Sequence, residues 1–157
     1  MAGMQRVRIY NHGTIQAPAA KVWEWLTDWA GTRRTRRPAD VGDLTLAKIE
    51  LIGEHGQIPR AREMRFGAFG AVRETLLYQN DDAMHLYYNI EGTGPCGLKN
   101  YLATTEVDAI SPISSMVTIT ARFDLDPGAD VVKAKSIIDL AHNNAVIGAL
   151  RRYLETA

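Results

Sequence analysis

The chain contains one cysteine, Cys96, among 157 residues. That excludes an internal disulfide framework and a cysteine-rich zinc site. No apolar run approaches the ~18 residues needed to span a bilayer, so no membrane span is expected. Positive excess is also absent: Lys+Arg and Asp+Glu number 18 each, for a formal net charge of +0. A nucleic-acid binder that relies on phosphate contacts is normally basic, and that class is not expected. The segment Met1 to Arg8 has no hydrophobic signal core and no cleavage pattern, so a cytoplasmic location is expected. The four histidines are scattered, with no i, i+4 pair on a helix, and no metal is expected. No cofactor is expected either. There is no G-x-S-x-G elbow. Gly92-Thr93-Gly94-Pro95-Cys96-Gly97 matches G-x-G-x-x-G in letters only. It joins two strand-like runs, carries Pro95 and opens no helix that could receive a phosphate.

What is present is globular: 46% hydrophobic residues and 23% charged ones suffice for a substantial core. The length suits a single domain over 1–157. Val7 to Ile15 alternates apolar and polar residues and reads as a strand. Ala17-Pro18 then opens a helix whose buried face is Val22, Trp25, Leu26 and Trp29. A basic run, Arg33-Arg34-Thr35-Arg36-Arg37, ends at Pro38. Six strand-like runs follow: Leu44 to Ile52, Ile58 to Phe66, Ala71 to Gln79, Ala83 to Ile90, Leu98 to Ile110 and Ser114 to Asp124. Their short, glycine- and asparagine-bearing links predict an antiparallel meander. Asp126-Pro127-Gly128 ends the last strand, and a helical pattern runs from about Ala129 to Leu154. Asp126 or Asp130 is its candidate cap. Segregated elements of this kind predict an α+β domain with a curved sheet and a long covering helix.

Several segments resemble the START-like, birch-pollen-allergen-like (SRPBCC) helix-grip superfamily, in its polyketide cyclase/dehydrase and lipid-transport branch. They are Ile15 to Trp23 with Leu26-Thr27-Asp28-Trp29, then Val72-Arg73-Glu74-Thr75-Leu76. Tyr88-Asn89-Ile90, Pro95, Asn100 to Val107 and Gly148 to Leu154 complete the likeness. The resemblance covers roughly Val7 to Leu154. It implies a seven-stranded curved antiparallel sheet around the C-terminal helix, two short helices between strands 1 and 2, and an apolar cavity between sheet and helix. Two departures imply a differently shaped or roomier cavity. Arg36-Arg37 precede Pro38 where an aromatic is usual, and Ile119 stands where a tryptophan is usual.

Strand parity supplies the candidate lining. If Glu74 points inward, so do Val72, Leu76 and Tyr78. Tyr88 faces inward with Leu86 and Ile90, Ala103 with Tyr101, and Val117 with Ile119. Ile138, His142 and Val146 form a helical stripe. Parity in 44–52 and 58–66 is ambiguous, because both faces carry charge. Glu74 is the most informative polar residue, since a carboxylate in an apolar cavity needs a partner. It reads either as a ligand-binding or acid–base group, or as a carboxylate paired with an arginine such as Arg62. Glu74, Tyr101 and His142 together form a candidate proton-transfer set; a satisfied core histidine is the plainer alternative. Phe66 and Phe69 are placed at the cavity mouth, in one of two glycine-bearing loops corresponding to the family's cavity-closing loops. Arg36 and Arg37 fit an anionic head group or an acidic carrier protein, and equally a solvated face.

The leading expectation is a protein that binds a small hydrophobic or aromatic ligand, lipid or polyketide-like. The alternative is a polyketide cyclase/dehydratase-type enzyme, a lyase or isomerase, using Glu74, Tyr101 and His142. A module acting through its surface is a third. Monomer and homodimer both fit.

Overall fold

The computed structural model describes residues 3–31, 46–54, 56–66 and 70–155. The first strand, β1 (Gln5–Ile15), leads into helix α1 (Ala19–Thr27). Six strands follow: β2 (Leu46–Ile52), β3 (Arg60–Phe66), β4 (Gly70–Asn80), β5 (His85–Ile90), β6 (Lys99–Ser111) and β7 (Ser114–Leu125). A long C-terminal helix, α2, closes the chain. It is α-helical over Val131–Leu140, widens to a π-helix over Ala141–Gly148 and returns to α over Ala149–Glu155. The strand-like runs expected from alternation fall within two residues of these bounds. The second short helix expected between β1 and β2 lies outside the described residues.

The strands form one antiparallel sheet in the order β1-β7-β6-β5-β4-β3-β2. Five consecutive hairpin pairings build the meander from β2 to β7, and β1 crosses to pair with β7 in register Gln5↔Leu125 to Ile15↔Ser115. This is the seven-stranded helix-grip arrangement the resemblance implies. Bulges between Leu76 and Tyr78 and between Lys99 and Leu102 interrupt the ladders. Such interruptions bend strands and increase twist, which curves the sheet toward the helix.

Pro18 caps α1 rather than entering it, and its carbonyl accepts from the Lys21 and Val22 amides. Val22, Trp25, Leu26 and Trp29 are buried, as their spacing predicts. Trp23 is buried too, because its indole Nε1 donates to Asp81 at 2.9 Å. At α2, Asp130 is the cap: its carboxylate accepts from the Lys133 amide. The core lies between the concave face of the sheet and these two helices. Phe123, Leu125, Val117, Ile119 and Ala103 contribute from the sheet, and Ile147 and Leu150 from α2.

Gly13 shows how closely α2 lies on β1. A Cβ there would sit 2.8 Å from Ile147 Cγ2 and 3.0 Å from Arg151 Nη2. The helix is therefore pressed against the strand where no side chain intervenes.

Candidate functional site

A cavity of about 110 Å³ lies between the sheet and α2. The sheet contributes Arg62, Met64 and Phe66 from β3, Val72 and Glu74 from β4, Tyr88 and Ile90 from β5, and Tyr101 from β6. Helix α2 supplies Ile137, Ile138, Ala141, His142, Ala145, Val146 and Ala149. Pro95, in the link between β5 and β6, closes one side. Apart from Arg62, Glu74, His142 and the two tyrosines, this lining is apolar.

Glu74, Tyr101 and His142, from three different elements and distant in sequence, thus reach one space. Val72, Tyr88, Ile138, Val146 and Phe66 line it as well. Leu76, Ala103, Val117 and Ile119 face the same side of the sheet but are packed into the core away from the cavity. Phe69, Arg36 and Arg37 lie outside the described residues.

Tyr78 is a correction. Strict alternation from Glu74 puts it inside, but the bulge between Leu76 and Tyr78 adds a residue and reverses the phase. Tyr78 is 40% exposed on the outer face. There it stacks on Tyr87, with ring centroids 5.1 Å apart, and meets His85 edge-on.

Arg62 and Glu74 oppose each other in the β3–β4 ladder. The guanidinium donates from Nε at 2.9 Å and from Nη2 at 2.6 Å, both to Glu74 Oε2. The pair is nearly sealed, with side-chain exposures of 4% and 10%. The other flank of Arg62 is covered by Trp29, whose ring centroid is 3.6 Å from Cζ. A desolvated cation over an indole gains about 2 kcal/mol. The pairing of Glu74 with a neighbouring arginine is thus the alternative that the geometry realises, but as a buried pair in the cavity wall.

His142 is 3% exposed. Its Nε2 lies 2.9 Å from Tyr101 Oη, and its Nδ1 lies 3.4 Å from Asn11 Nδ2. The Asn11 amide is oriented by two further bonds. Its Nδ2 donates to Asp139 at 3.0 Å, and its Oδ1 accepts from Asn143 at 2.9 Å. An NH₂ group therefore faces Nδ1, which must accept. The ring proton is left on Nε2, donating to Tyr101. Burial lowers the His142 pKa from 6.5 to about 4, against an opposing pull from Asp139. The imidazole is neutral at pH 7. Burial also holds the Tyr101 hydroxyl well above its usual value, reinforced by the neighbouring Tyr88 and by the charge on Glu74.

Sequence reasoning missed Asn11, Met64, Ile137, Ala141, Ala145 and Ala149 as parts of this site. Asn11 had a signal: Val7, Ile9 and Ile15 set the inward phase of β1, and Asn11 shares it. Met64 and Arg62 had one in the hairpin register, since a turn centred on residue 68 pairs 62 with 74. Ala145 and Ala149 had one in the helical spacing, three and seven residues after His142 on the same stripe, and Ala141 stands three after Ile138.

Among the described residues, no three His, Cys, Asp or Glu side chains gather to hold a metal ion. No helix of the described residues is long and apolar enough to cross a membrane. The Gly92 to Gly97 link forms one 3₁₀ turn, Pro95–Gly97, between antiparallel strands. It presents no α-helix N-terminus to a phosphate.

A curved seven-stranded sheet gripping a long helix, with an internal cavity between them, defines a START-like helix-grip domain of the SRPBCC type. The family model for polyketide cyclase / dehydrase and lipid transport matches residues 6–156, and the chain belongs to that family. Family and fold together support a ligand-binding domain. A solved structure of the protein XoxI from Bacillus cereus is similar in fold, with a TM-score of 0.73. It is 16% identical, and the match covers 96% of this chain and 97% of that one. No curated protein matches the chain.

Proposed function

We propose that the protein binds a small hydrophobic or aromatic molecule in the cavity between sheet and α2. The observation that carries this reading is the cavity itself: about 110 Å³, apolar over most of its wall, with its polar groups at hand from β3, β4, β6 and α2. A dry apolar cavity of roughly 150 Å³ accepts one benzene-sized molecule. The space here is somewhat smaller, about 110 Å³, and suits a short acyl segment or one small ring. Burial of such a group contributes roughly 25 cal/mol per Å² before ordering costs. Tyr101, itself held by His142, orients the polar end.

The enzymatic alternative relies on proton transfer by Glu74, Tyr101 and His142. The Tyr101–His142 hydrogen bond favours it. The titration of Tyr101 and His142 does not: efficient acid–base catalysts titrate near the working pH. His142 is held at about 4 and Tyr101 well above its ordinary value. Binding is therefore the better supported function.

Native mass spectrometry of freshly purified protein, followed by solvent extraction, tests the reading. A stoichiometric hydrophobic adduct is the expected result. A clean apo mass, together with no calorimetric response to toluene, would overturn it.

A further inference from the structure

The chemistry of the cavity wall narrows the class of molecule it accepts. This step rests on the ligand-binding reading above. Among the described lining residues, Arg62 is the one permanent cation. Its charge is already matched by Glu74, through two hydrogen bonds to the same oxygen. Its remaining flank is covered by Trp29. A ligand anion entering the cavity would meet no uncompensated positive charge, and it would approach the Glu74 carboxylate. His142 supplies no cation either, because Asn11 presents an N–H to Nδ1 and disfavours a second ring proton. What the wall does supply is hydroxyl groups. Tyr101 Oη accepts from His142 Nε2, and this polarises its own O–H as a donor. The Tyr88 ring lies beside that of Tyr101, with centroids 6.0 Å apart.

We infer that the cavity selects neutral carbonyl-bearing molecules, such as ketones, amides or esters, over carboxylates of the same skeleton. The carbonyl oxygen would accept from the Tyr101 hydroxyl while the hydrocarbon part fills the apolar space. Transfer of a carboxylate into such a site without a partner costs several kcal/mol. The selectivity is therefore large.

The test is a matched pair of ring-sized probes at pH 7.5, benzamide against benzoate, measured by titration calorimetry or ligand-detected NMR. Toluene serves as a probe with no polar group. Benzamide is expected to bind at least ~100-fold more tightly than benzoate, a factor of ten being 1.4 kcal/mol. Glu74→Gln keeps an acceptor for Arg62 but removes the compensating charge. It is expected to raise benzoate affinity at least ~10-fold relative to benzamide, by the same conversion. Toluene binding combined with equal affinities for benzamide and benzoate would overturn the selectivity and leave the ligand-binding reading standing. Failure of all three probes would overturn both. If Glu74→Gln does not fold, the comparison on the natural protein decides alone.

Discussion

Acidification should remove stability through one buried side chain. His142 titrates near 6.5 in an unfolded chain and at about 4 in the fold. Between those values the unfolded chain binds more protons. Stability therefore rises with pH across the window and falls as pH drops through it. Below about pH 4 both states are protonated and this group causes no further loss. The groups facing His142 are Asp139 and Asn143 on α2, Asn11 on β1 and Tyr101 on β6. Asp139 opposes the shift, and its effect is already contained in the value of about 4. A gap of about 2.5 pH units, at about 1.36 kcal/mol each, comes to roughly 3 kcal/mol. Other groups respond to acid in the same direction. Arg6 holds the Asp124 carboxyl below its ordinary value, and Gln79 and Trp23 do so for Asp81. Both effects persist in a His142→Gln variant, which retains a donor for Tyr101 but does not titrate. Urea unfolding of both proteins at pH 7, 6, 5 and 4 isolates the histidine as a difference. The natural protein should lose roughly 3 kcal/mol more than the variant between pH 7 and 4. Parallel losses would refute the argument, as would an NMR titration that places the His142 ring near 6.5.

Two further perturbations probe how the cavity is held. Arg62→Met leaves the Glu74 carboxylate buried without its partner and should cost about 3–5 kcal/mol in urea unfolding. Adding Glu74→Leu should restore most of that, and a single-variant cost below about 1 kcal/mol would show that the pair is solvated. Gly13→Ala drives a methyl into Ile147 and should cost about 1–3 kcal/mol by thermal or urea unfolding. A neutral result would mean that α2 is not tightly seated on β1.

The sheet and both described helices were legible because alternation and 3.6-residue spacing are local properties. So was the convergence of Glu74, Tyr101 and His142, which needed only inward phase and the helix-grip arrangement. Tyr78 was misplaced because a bulge is a one-residue event that leaves no mark on apolar alternation. β3 could not be phased from its own residues, since Arg60, Arg62, Glu63 and Arg65 put charge on both faces. Its partner strand resolves it: Met64 opposes Val72 and Arg62 opposes Glu74. The sequence does show that Glu74 needs a partner, but the sealing of that partner by Trp29 is a contact between segments distant in sequence, which no local pattern reveals.

The π-helical stretch Ala141–Gly148 makes α2 a two-part shaft with a phase step in the middle. Each residue of an α-helix advances about 100° around its axis, so one additional residue taken up in a widened turn shifts by one position which residues share a face beyond it. Upstream of the step, the shaft is keyed by Asn11 to Asp139. At the end of the π-helical stretch and just beyond it, Ile147 and Arg151 seat the shaft against Gly13. A one-residue deletion within 141–148 would let the stretch close to ordinary α turns, keeping both keys seated while changing which side chains face the cavity. The cavity wall formed by Ala141, His142, Ala145 and Val146 spans that step. Its contour is therefore set by residue count as much as by residue identity, and a single insertion or deletion there would reshape the pocket while leaving every strand of the sheet unchanged.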